Sequence, residues 1–510
     1  MNISLLLFTL LLISLILNYL ELNDAKTAID IVNDMGIGIN LGNLFDCYGF
    51  SKEIKTPNDQ LTLLGNSIPK KETIKKLKTS GIKTIRLPIT WINFINETGI
   101  VSTEWMNQVK EIVQLIINYN MYCIINVHHD GAPGNWLSKG LDSKAQFDLL
   151  WTQISNEFKD FDDHLIFEAM NEVEYKIGDK YDYSTLLILT QSFIDIVRNS
   201  GGNNYERLLL IPGANDDYQL TISDEFQIPI DPANTFAISI HYYIPYEFTK
   251  QLNNDENLTD NPSRNTWGNA LDYDEIMTDF YMMKITFVDK GIPIIIGEVG
   301  VVTEDGKDED SLREFLYAVT ALSWEFDGII SCFWDTSNKE TGNMNYYNRE
   351  KNDWYDNKIK NFIKQISKGK YVTMWDYFIY TNSQNFTSEY GDYIEFYLDD
   401  LTPQKITFCV NPNGEKNLTF IHFFGYTENY ELFEISYDKK NYKKQYDGTI
   451  IYSFDISNIN IYYCLYAIKS EEYINVDLIY VLFETKEYFN LFDYFSYKNA
   501  ILNAVNKIFQ

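Results

Sequence analysis

The chain has 510 residues, 45% of them hydrophobic, which is enough for one large domain with its own core and a smaller second domain. Its 72 Asp and Glu residues against 42 Lys and Arg residues give a formal charge of −30 at pH 7. Such a surface repels nucleic acids and anionic membranes. We therefore exclude nucleic-acid binding and expect neutral or cationic partners.

The first 20 residues are almost wholly apolar and are followed by Glu21 and Asp24, a pattern typical of a secretory signal. We predict a signal peptide over residues 1–25 with cleavage near Ala25, and a secreted protein with no membrane partner after cleavage. The first basic residue is Lys26, so the positive segment that usually opens a signal peptide is missing. An uncleaved N-terminal anchor is therefore the alternative.

Between residues 30 and 368, short apolar runs alternate with helix-length segments. The runs predict eight strands, at 35–43, 83–88, 122–127, 165–172, 207–212, 236–240, 293–298 and 328–333. Eight alternating βα units predict an α/β fold, a (β/α)8 TIM barrel, whose active-site residues lie at the C-terminal ends of the strands. The glycine-rich first run is not a dinucleotide-binding loop, because Leu41 occupies the position of the third glycine.

Two of the predicted strands end in a glutamate. Glu172 follows Asn171 at the end of the fourth strand, and Glu298 ends the seventh. Packing of an apolar strand requires neither side chain. Glycoside hydrolysis needs two carboxylates, one to protonate the leaving oxygen and one to attack the sugar or to activate water. We take this as the working hypothesis, with solvent-facing glutamates as the structural alternative.

Other polar residues accompany the predicted strands. Arg86 interrupts an apolar strand and needs a carboxylate partner, and we interpret Glu168 as a buried structural carboxylate. His128, His129 and Asp130 follow the third strand and would be metal ligands in an alternative reading, that of a metal hydrolase. We predict neither a metal nor a cofactor.

With these strands placed, the sequence resembles glycoside hydrolase family 5, and within it subfamily 4, which contains endo-β-1,4-glucanases, xyloglucanases and lichenases. The resemblance rests on seven motifs in the family's order, each in or after its own strand: GINLGN (38–43), TIRLPITW (84–91), INVHHD (125–130), FEAMNE (167–172), HYYIPY (241–246), IGEVG (296–300) and FWD (333–335).

The resemblance implies that Glu172 is the general acid/base and Glu298 the nucleophile of a retaining reaction, with carboxylates about 5 Å apart and a raised pKa for Glu172. It also implies that Arg86 and Tyr243 steady the nucleophile, that His241 lies near the acid/base, and that Asn171 and His128 contact sugar hydroxyls. Trp334 would be the stacking floor of the cleaved subsite. We further predict His129 and Trp136 to be substrate-binding residues. One interpretation places Trp136, Trp91 and Trp267 in outer sugar subsites, and the other has them simply pack. The subsite interpretation is best supported for Trp136, which follows His128, His129 and Asp130 on the same loop. Departures from the family pattern at Val173, at Phe333 and after Trp334 concern substrate preference rather than the reaction.

From about residue 370 short alternating runs replace the helical pattern, which predicts a small β-sandwich-like accessory domain over 370–510. Carbohydrate binding is one interpretation of this domain and a purely structural role is the other. Among the five cysteines, we expect Cys123 and Cys332 to be buried thiols. Cys409 and Cys464 could pair, which would leave Cys47 over.

The sequence therefore predicts a secreted retaining endo-β-1,4-glucanase that acts on β-glucan. The alternatives are an endo-acting hydrolase of xyloglucan, mannan or xylan, and a non-catalytic glycan-binding surface protein.

Overall fold

The computed structural model describes residues 26–48, 54–250, 263–268, 270–303, 306–338 and 342–370, and the backbone of nine strands between 378 and 485. The chain separates into two compact units near residue 371. The predicted signal peptide lies outside the described residues. Within them, no helix has the length and apolar character needed to cross a membrane.

The first unit is a closed barrel of eight parallel strands, as predicted. The strands are β1 (Gly38–Asn40), β2 (Thr84–Leu87), β3 (Tyr122–Asn126), β4 (Leu165–Glu168), β5 (Leu209–Asp217), β6 (Phe236–Tyr242), β7 (Ile294–Val299) and β8 (Ile329–Phe333). Each strand pairs with its neighbours in sequence, and β8 closes the ring on β1 through the pairs Gly38 with Cys332 and Ile39 with Phe333. A Cβ atom at position 38 would overlap the Cys332 sulfur, so this closure requires glycine.

Helices follow the strands around the barrel. The longer ones span Lys71–Thr79, Thr103–Ile117, Lys144–Phe158, Tyr183–Asn199, Ala270–Thr286, Glu309–Glu325 and Asn357–Ile366. Side chains at the N-caps fix where several of them begin, since Ser102, Asp182 and Asp308 each accept a hydrogen bond from a backbone N–H three residues ahead. Shorter helices at Pro57–Leu61, Tyr218–Thr221 and Tyr246–Thr249 lie in the connections.

The two ends of the barrel differ in polarity. The helix Ala28–Met35, which begins at a capping box between Thr27 and Asp30, covers the N-terminal end. Its buried face joins an apolar cluster with strand residues such as Ile124, Ile166 and Ile295. Chemistry is therefore confined to the opposite end, where polar side chains follow the strands.

The predicted buried thiols are confirmed for Cys123 and Cys332, and Cys47 is also a buried free thiol. In the second unit the nine strands form antiparallel sheets of five and four strands. Their bounds are Phe378–Thr387, Tyr393–Tyr397, Pro403–Asn411, Ile421–Thr427, Leu432–Ser436, Tyr442–Lys444, Ile450–Asp455, Ile461–Ile468 and Asn475–Thr485. The side chains of Cys409 and Cys464 lie outside the described part of the chain, and the sandwich and its role stay predictions.

Candidate active site

Arg86 occupies the centre of the polar end of the barrel and is fully buried. Its Nε donates to Glu168 Oε2 at 2.8 Å, and its two terminal nitrogens donate to Glu298 Oε1 at 2.9 Å and to Asn171 Oδ1 at 2.6 Å. The expectation of a carboxylate partner is confirmed, and there are two such partners. A buried guanidinium ringed by acceptors in this way fixes three other site residues in space.

Glu168 is fully buried, as expected of a structural carboxylate. Besides Arg86 it accepts hydrogen bonds from Ser239 Oγ at 2.9 Å and Asn126 Nδ2 at 3.2 Å. Each of its two oxygens accepts hydrogen bonds from buried side chains of the barrel. The carboxylate therefore anchors Arg86 and leaves the reactive roles to other groups.

Glu298 has a donor on each carboxylate oxygen. Arg86 binds Oε1, and the Tyr243 hydroxyl donates to Oε2 at 3.0 Å. The side chain is 6% exposed, and His241 Nδ1 lies 3.7 Å from Oε2. These contacts hold the carboxylate in one orientation at the rim of the barrel.

Glu172 differs from Glu298 in exposure and in its partners. Its side chain is 42% exposed, and Oε1 lies 2.7 Å from His241 Nδ1. Its backbone has a φ of 43°, in the left-handed region that side chains other than glycine rarely adopt. The residue therefore presents its carboxylate outward from a strained turn, which is typical of functional positions.

The prediction of a raised pKa for Glu172 is wrong for the free protein. The protein around this partly exposed carboxylate displaces water from it, which alone would raise the pKa, but the hydrogen bond and the charge of His241 outweigh this effect and bring the pKa to about 2. Burial likewise lowers the pKa of His241, but the neighbouring carboxylates, Glu298 first, raise it to about 9. Near neutral pH the pair holds one proton, which resides on the imidazole.

The two glutamates face each other. One carboxylate oxygen of Glu172, one of Glu298 and a ring nitrogen of His241 all lie within 4.8 Å of one another. The two carboxylates and the imidazole therefore border one small space at this end of the barrel.

The rings of His128 and Trp334 lie next to each other at this end of the barrel. Their rings are nearly parallel, with centroids 5.9 Å apart and an interplanar angle of 7°. Burial lowers the pKa of His128 well below its usual value, so the imidazole is neutral and can both donate and accept. Asn171 uses its oxygen for Arg86, so the donating end of its amide is what it can offer to a ligand.

The tryptophans are more buried than a row of sugar platforms would be. Trp91 is fully buried with its indole N–H on the Asn126 carbonyl, so of the two interpretations left open for this residue, packing in the core is the one confirmed. Trp267 is also buried, at 4% exposure. Trp136 is 8% exposed and donates to Asp130 Oδ1 at 2.7 Å, and its contact with a sugar stays a prediction.

The histidine pair does not share a metal-binding geometry with Asp130. The Asp130 carboxylate is buried and accepts from the Trp91 backbone N–H and from the Trp136 indole. Asp46 instead lies near both His128 and His129, with one ligand atom of each within 4.8 Å of the others. Since both Asp46 oxygens already accept backbone hydrogen bonds from Asn43 and Leu44, this carboxylate also has a structural task.

Sequence reasoning missed two buried carboxylates near the site, Asp46 and Asp216. Asp216 accepts a hydrogen bond from the Glu172 backbone N–H at 2.6 Å. The run Asn215-Asp216-Asp217 directly after the predicted fifth strand was the available signal, because polar residues at that end of a barrel strand belong to the site.

Comparison with known proteins gives one consistent family. Residues 45–340 match the model of the family described as cellulase (glycosyl hydrolase family 5). Endoglucanase A of Clostridium longisporum is 34% identical, over 68% of this chain and 67% of that protein, and Endoglucanase A of Paenibacillus barcinonensis is 32% identical, over 66% and 90%.

Solved structures with the same fold include a GH5-4 broad specificity endoglucanase from an uncultured bovine rumen ciliate. It is 53% identical with a TM-score of 0.66, covering 68% of this chain and 99% of that one. A glycoside hydrolase 5 lichenase mutant from Caldicellulosiruptor sp. F32, in complex with cellotetraose, is 29% identical with a TM-score of 0.62, covering 67% and 96%.

Proposed function

Because the chain belongs to the cellulase family, glycosyl hydrolase family 5, and is an endoglucanase-type glycoside hydrolase, we propose that it is a secreted retaining endo-β-1,4-glucanase that uses Glu298 as nucleophile and Glu172 as general acid/base. Secretion is proposed from the apolar N-terminal segment.

The observation that carries the mechanism is the separation of the two carboxylates. Oxygens of Glu172 and Glu298 lie within 4.8 Å of each other. Retaining glycosidases keep the two groups about 5 Å apart, whereas inverting ones need roughly 6.5–9.5 Å to admit a water molecule. The spacing thus favours direct attack by one carboxylate over attack by an activated water.

In the first step, a Glu298 oxygen attacks the anomeric carbon while Glu172 gives a proton to the departing glycosidic oxygen. Arg86 and Tyr243 orient the nucleophile through the hydrogen bonds at 2.9 and 3.0 Å. In the second step, Glu172 takes a proton from water, and the resulting hydroxide displaces Glu298 from the sugar. The anomeric configuration is inverted twice and so retained.

His241 supplies the proton that Glu172 lacks in the free protein. With its Nδ1 2.7 Å from Glu172 Oε1, the imidazolium first passes its proton to the carboxylate. The neutral carboxyl group then gives a proton to the glycosidic oxygen as the bond breaks, which leaves a neutral imidazole and an ionised Glu172. The proton returns to the pair when water attacks in the second step. The two side chains therefore act as one acid.

A neutral β-glucan suits the charge of the chain, which at −30 would repel an acidic polysaccharide. The solved relatives are described as a broad specificity endoglucanase and as a lichenase, which favours cellulose-type and mixed-linkage glucans as substrates here. The Trp334 ring would form the floor under the cleaved sugar, and His128, whose ring lies parallel to it, would contact a sugar hydroxyl.

The test is reducing-sugar release from barley β-glucan, carboxymethylcellulose, xyloglucan, mannan and xylan, with and without a chelator. We expect a β-glucan to be cleaved fastest, with no loss of rate in chelator. Cleavage of none of the five would refute the proposed activity. A loss of rate in chelator that zinc restores would favour the metal-hydrolase reading of His128 and His129 instead.

The pH profile tests the shared proton. Because the pKa of His241 is raised to about 9, the pair keeps its proton at neutral pH and loses it as the pH rises through that value. We therefore expect kcat/KM on β-glucan to hold up to about pH 8.5 and to fall tenfold per pH unit well above 9. An alkaline limb that begins near pH 6.5, the usual value for histidine, would contradict this assignment.

A further inference from the structure

The carboxyl-terminal end of β5 carries a bulge against its neighbour. Pro212 pairs with Ser239 and Asp217 pairs with His241, so β5 advances by five residues where β6 advances by two. The extra residues turn sharply, since Asn215 and Asp216 have φ values of 55° and 49°. Bulges of this kind re-aim side chains next to active sites, and this one turns Asp216 toward the catalytic groups.

The bulge is tied to the backbone on both sides of the Glu172 side chain. Asp216 Oδ2 accepts the Glu172 N–H at 2.6 Å. The Tyr181 hydroxyl donates to the Val173 carbonyl at 2.7 Å and accepts the Asn215 N–H at 2.9 Å. Three left-handed residues, Glu172, Asn215 and Asp216, therefore meet in one small network that has nothing to do with barrel pairing.

Asp216 is also placed to act through charge. It is fully buried, and its Oδ1 has no hydrogen-bond partner among the described residues. One of its oxygens, one of Glu168 and a ring nitrogen of His241 lie within 4.8 Å of one another. The charged groups around it are thus Glu168, Glu172, His241 and, beyond Glu168, Arg86.

We propose that Asp216 is a positioning residue for the general acid: it holds the Glu172 backbone in its left-handed turn and keeps the proton on the His241–Glu172 pair. The inference rests on the proposed function, since it presumes that Glu172 protonates the leaving group. Burial raises the pKa of Asp216 to about 7, so it is negative in the alkaline range where the pair loses its proton.

A purely structural buried aspartate is the competing explanation, and leaving-group dependence separates the two. Hydrolysis of β-glucan expels a sugar hydroxyl, a poor leaving group that needs a proton from an acid. Hydrolysis of 2,4-dinitrophenyl β-cellobioside expels 2,4-dinitrophenolate, which departs without one. A residue that acts through Glu172 affects kcat/KM on the first substrate far more than on the second. A residue that only supports folding affects both equally.

The experiment compares Asp216→Ala and Asp216→Asn with the wild type, Glu172→Gln and Asp224→Asn on both substrates. Asp224, an exposed residue on the connection after β5, is the matched control. We expect Asp216→Ala to lose roughly 10²-fold in kcat/KM on β-glucan, since small displacements of a catalytic group have such costs, and only a few-fold on the activated substrate. Asp216→Asn keeps an acceptor for the Glu172 N–H and should recover most of that loss.

The pH profile of Asp216→Asn is the second measurement. Removing a negative charge near His241 lowers the pKa of the imidazole, so the alkaline limb on β-glucan should move down by about one pH unit. Equal losses on both substrates, or an unmoved alkaline limb with full activity in both variants, would overturn the inference. If the wild type cleaves neither substrate, or Glu172→Gln is unimpaired on β-glucan, the proposed function has failed instead.

Discussion

Glu298→Gln is expected to reduce β-glucan hydrolysis by about 10⁴-fold or more, as removal of a covalent nucleophile does in other hydrolases. The amide is almost isosteric but has no negative oxygen to attack the anomeric carbon. Its oxygen can still accept from Arg86, as Oε1 of the carboxylate does at 2.9 Å, so the variant should fold. The loss would therefore be chemical.

Glu172→Gln gives the companion result, with a different signature. Loss of a general acid costs roughly 10²–10⁴-fold in rate on a polysaccharide, but much less in the first step on a substrate with an activated leaving group.

Glu104→Gln, at an exposed position near the start of the helix Thr103–Ile117, is the matched control for both variants and its rate should be unchanged. Initial rates of reducing-sugar release, with thermal unfolding to verify folding, provide the measurement. More than a hundredth of the wild-type rate in Glu298→Gln would remove it from the nucleophile role.

The barrel and the two glutamates could be predicted from sequence because the signal for each lies within a short stretch of the chain. A short apolar run such as Pro293 to Ile296 is typical of a buried strand, and once the barrel is assigned, a carboxylate at the end of that strand lies at the active end by topology. The carboxylate partner of Arg86 could be predicted for a similar reason, since a charged side chain within an apolar strand needs an opposite charge beside it.

What could not be predicted depends on contacts between distant parts of the chain. The low pKa of Glu172 is set by His241, 69 residues away, and the tie from Asp216 comes from 44 residues away. The burial of Trp91 follows from an indole hydrogen bond to the Asn126 carbonyl. A motif predicts that a residue lies at the end of a barrel strand. Its pKa and its burial depend on the neighbours that pack against it in the folded protein, which the motif does not contain.

Arg86→Met is expected to cause the largest loss of stability, about 3–5 kcal/mol in the free energy of unfolding. Arg86 and Glu168 are fully buried and Glu298 nearly so. Removing the guanidinium leaves two buried carboxylates without their main counter-charge. The cost is the desolvation of those anions rather than the value of one salt bridge.

Urea unfolding followed by tryptophan fluorescence measures this loss, since eight of the nine tryptophans lie between 91 and 354 in the barrel unit. Lys83→Met is the matched control, because its contact with Asp34 at 3.6 Å is exposed and should contribute less than about 1 kcal/mol. Adding Glu168→Gln to Arg86→Met removes one of the stranded charges and should restore part of the stability.

The pH dependence gives the same argument a sign. In Arg86→Met a carboxylate that is buried without its counter-charge favours its neutral form, so the folded state binds protons more readily than the unfolded state does. The deficit relative to the wild type should therefore shrink as the pH falls from 7 to 5. A deficit that stays constant over that range would mean that lost packing around Arg86 causes the loss of stability, rather than the uncompensated charge of the two carboxylates.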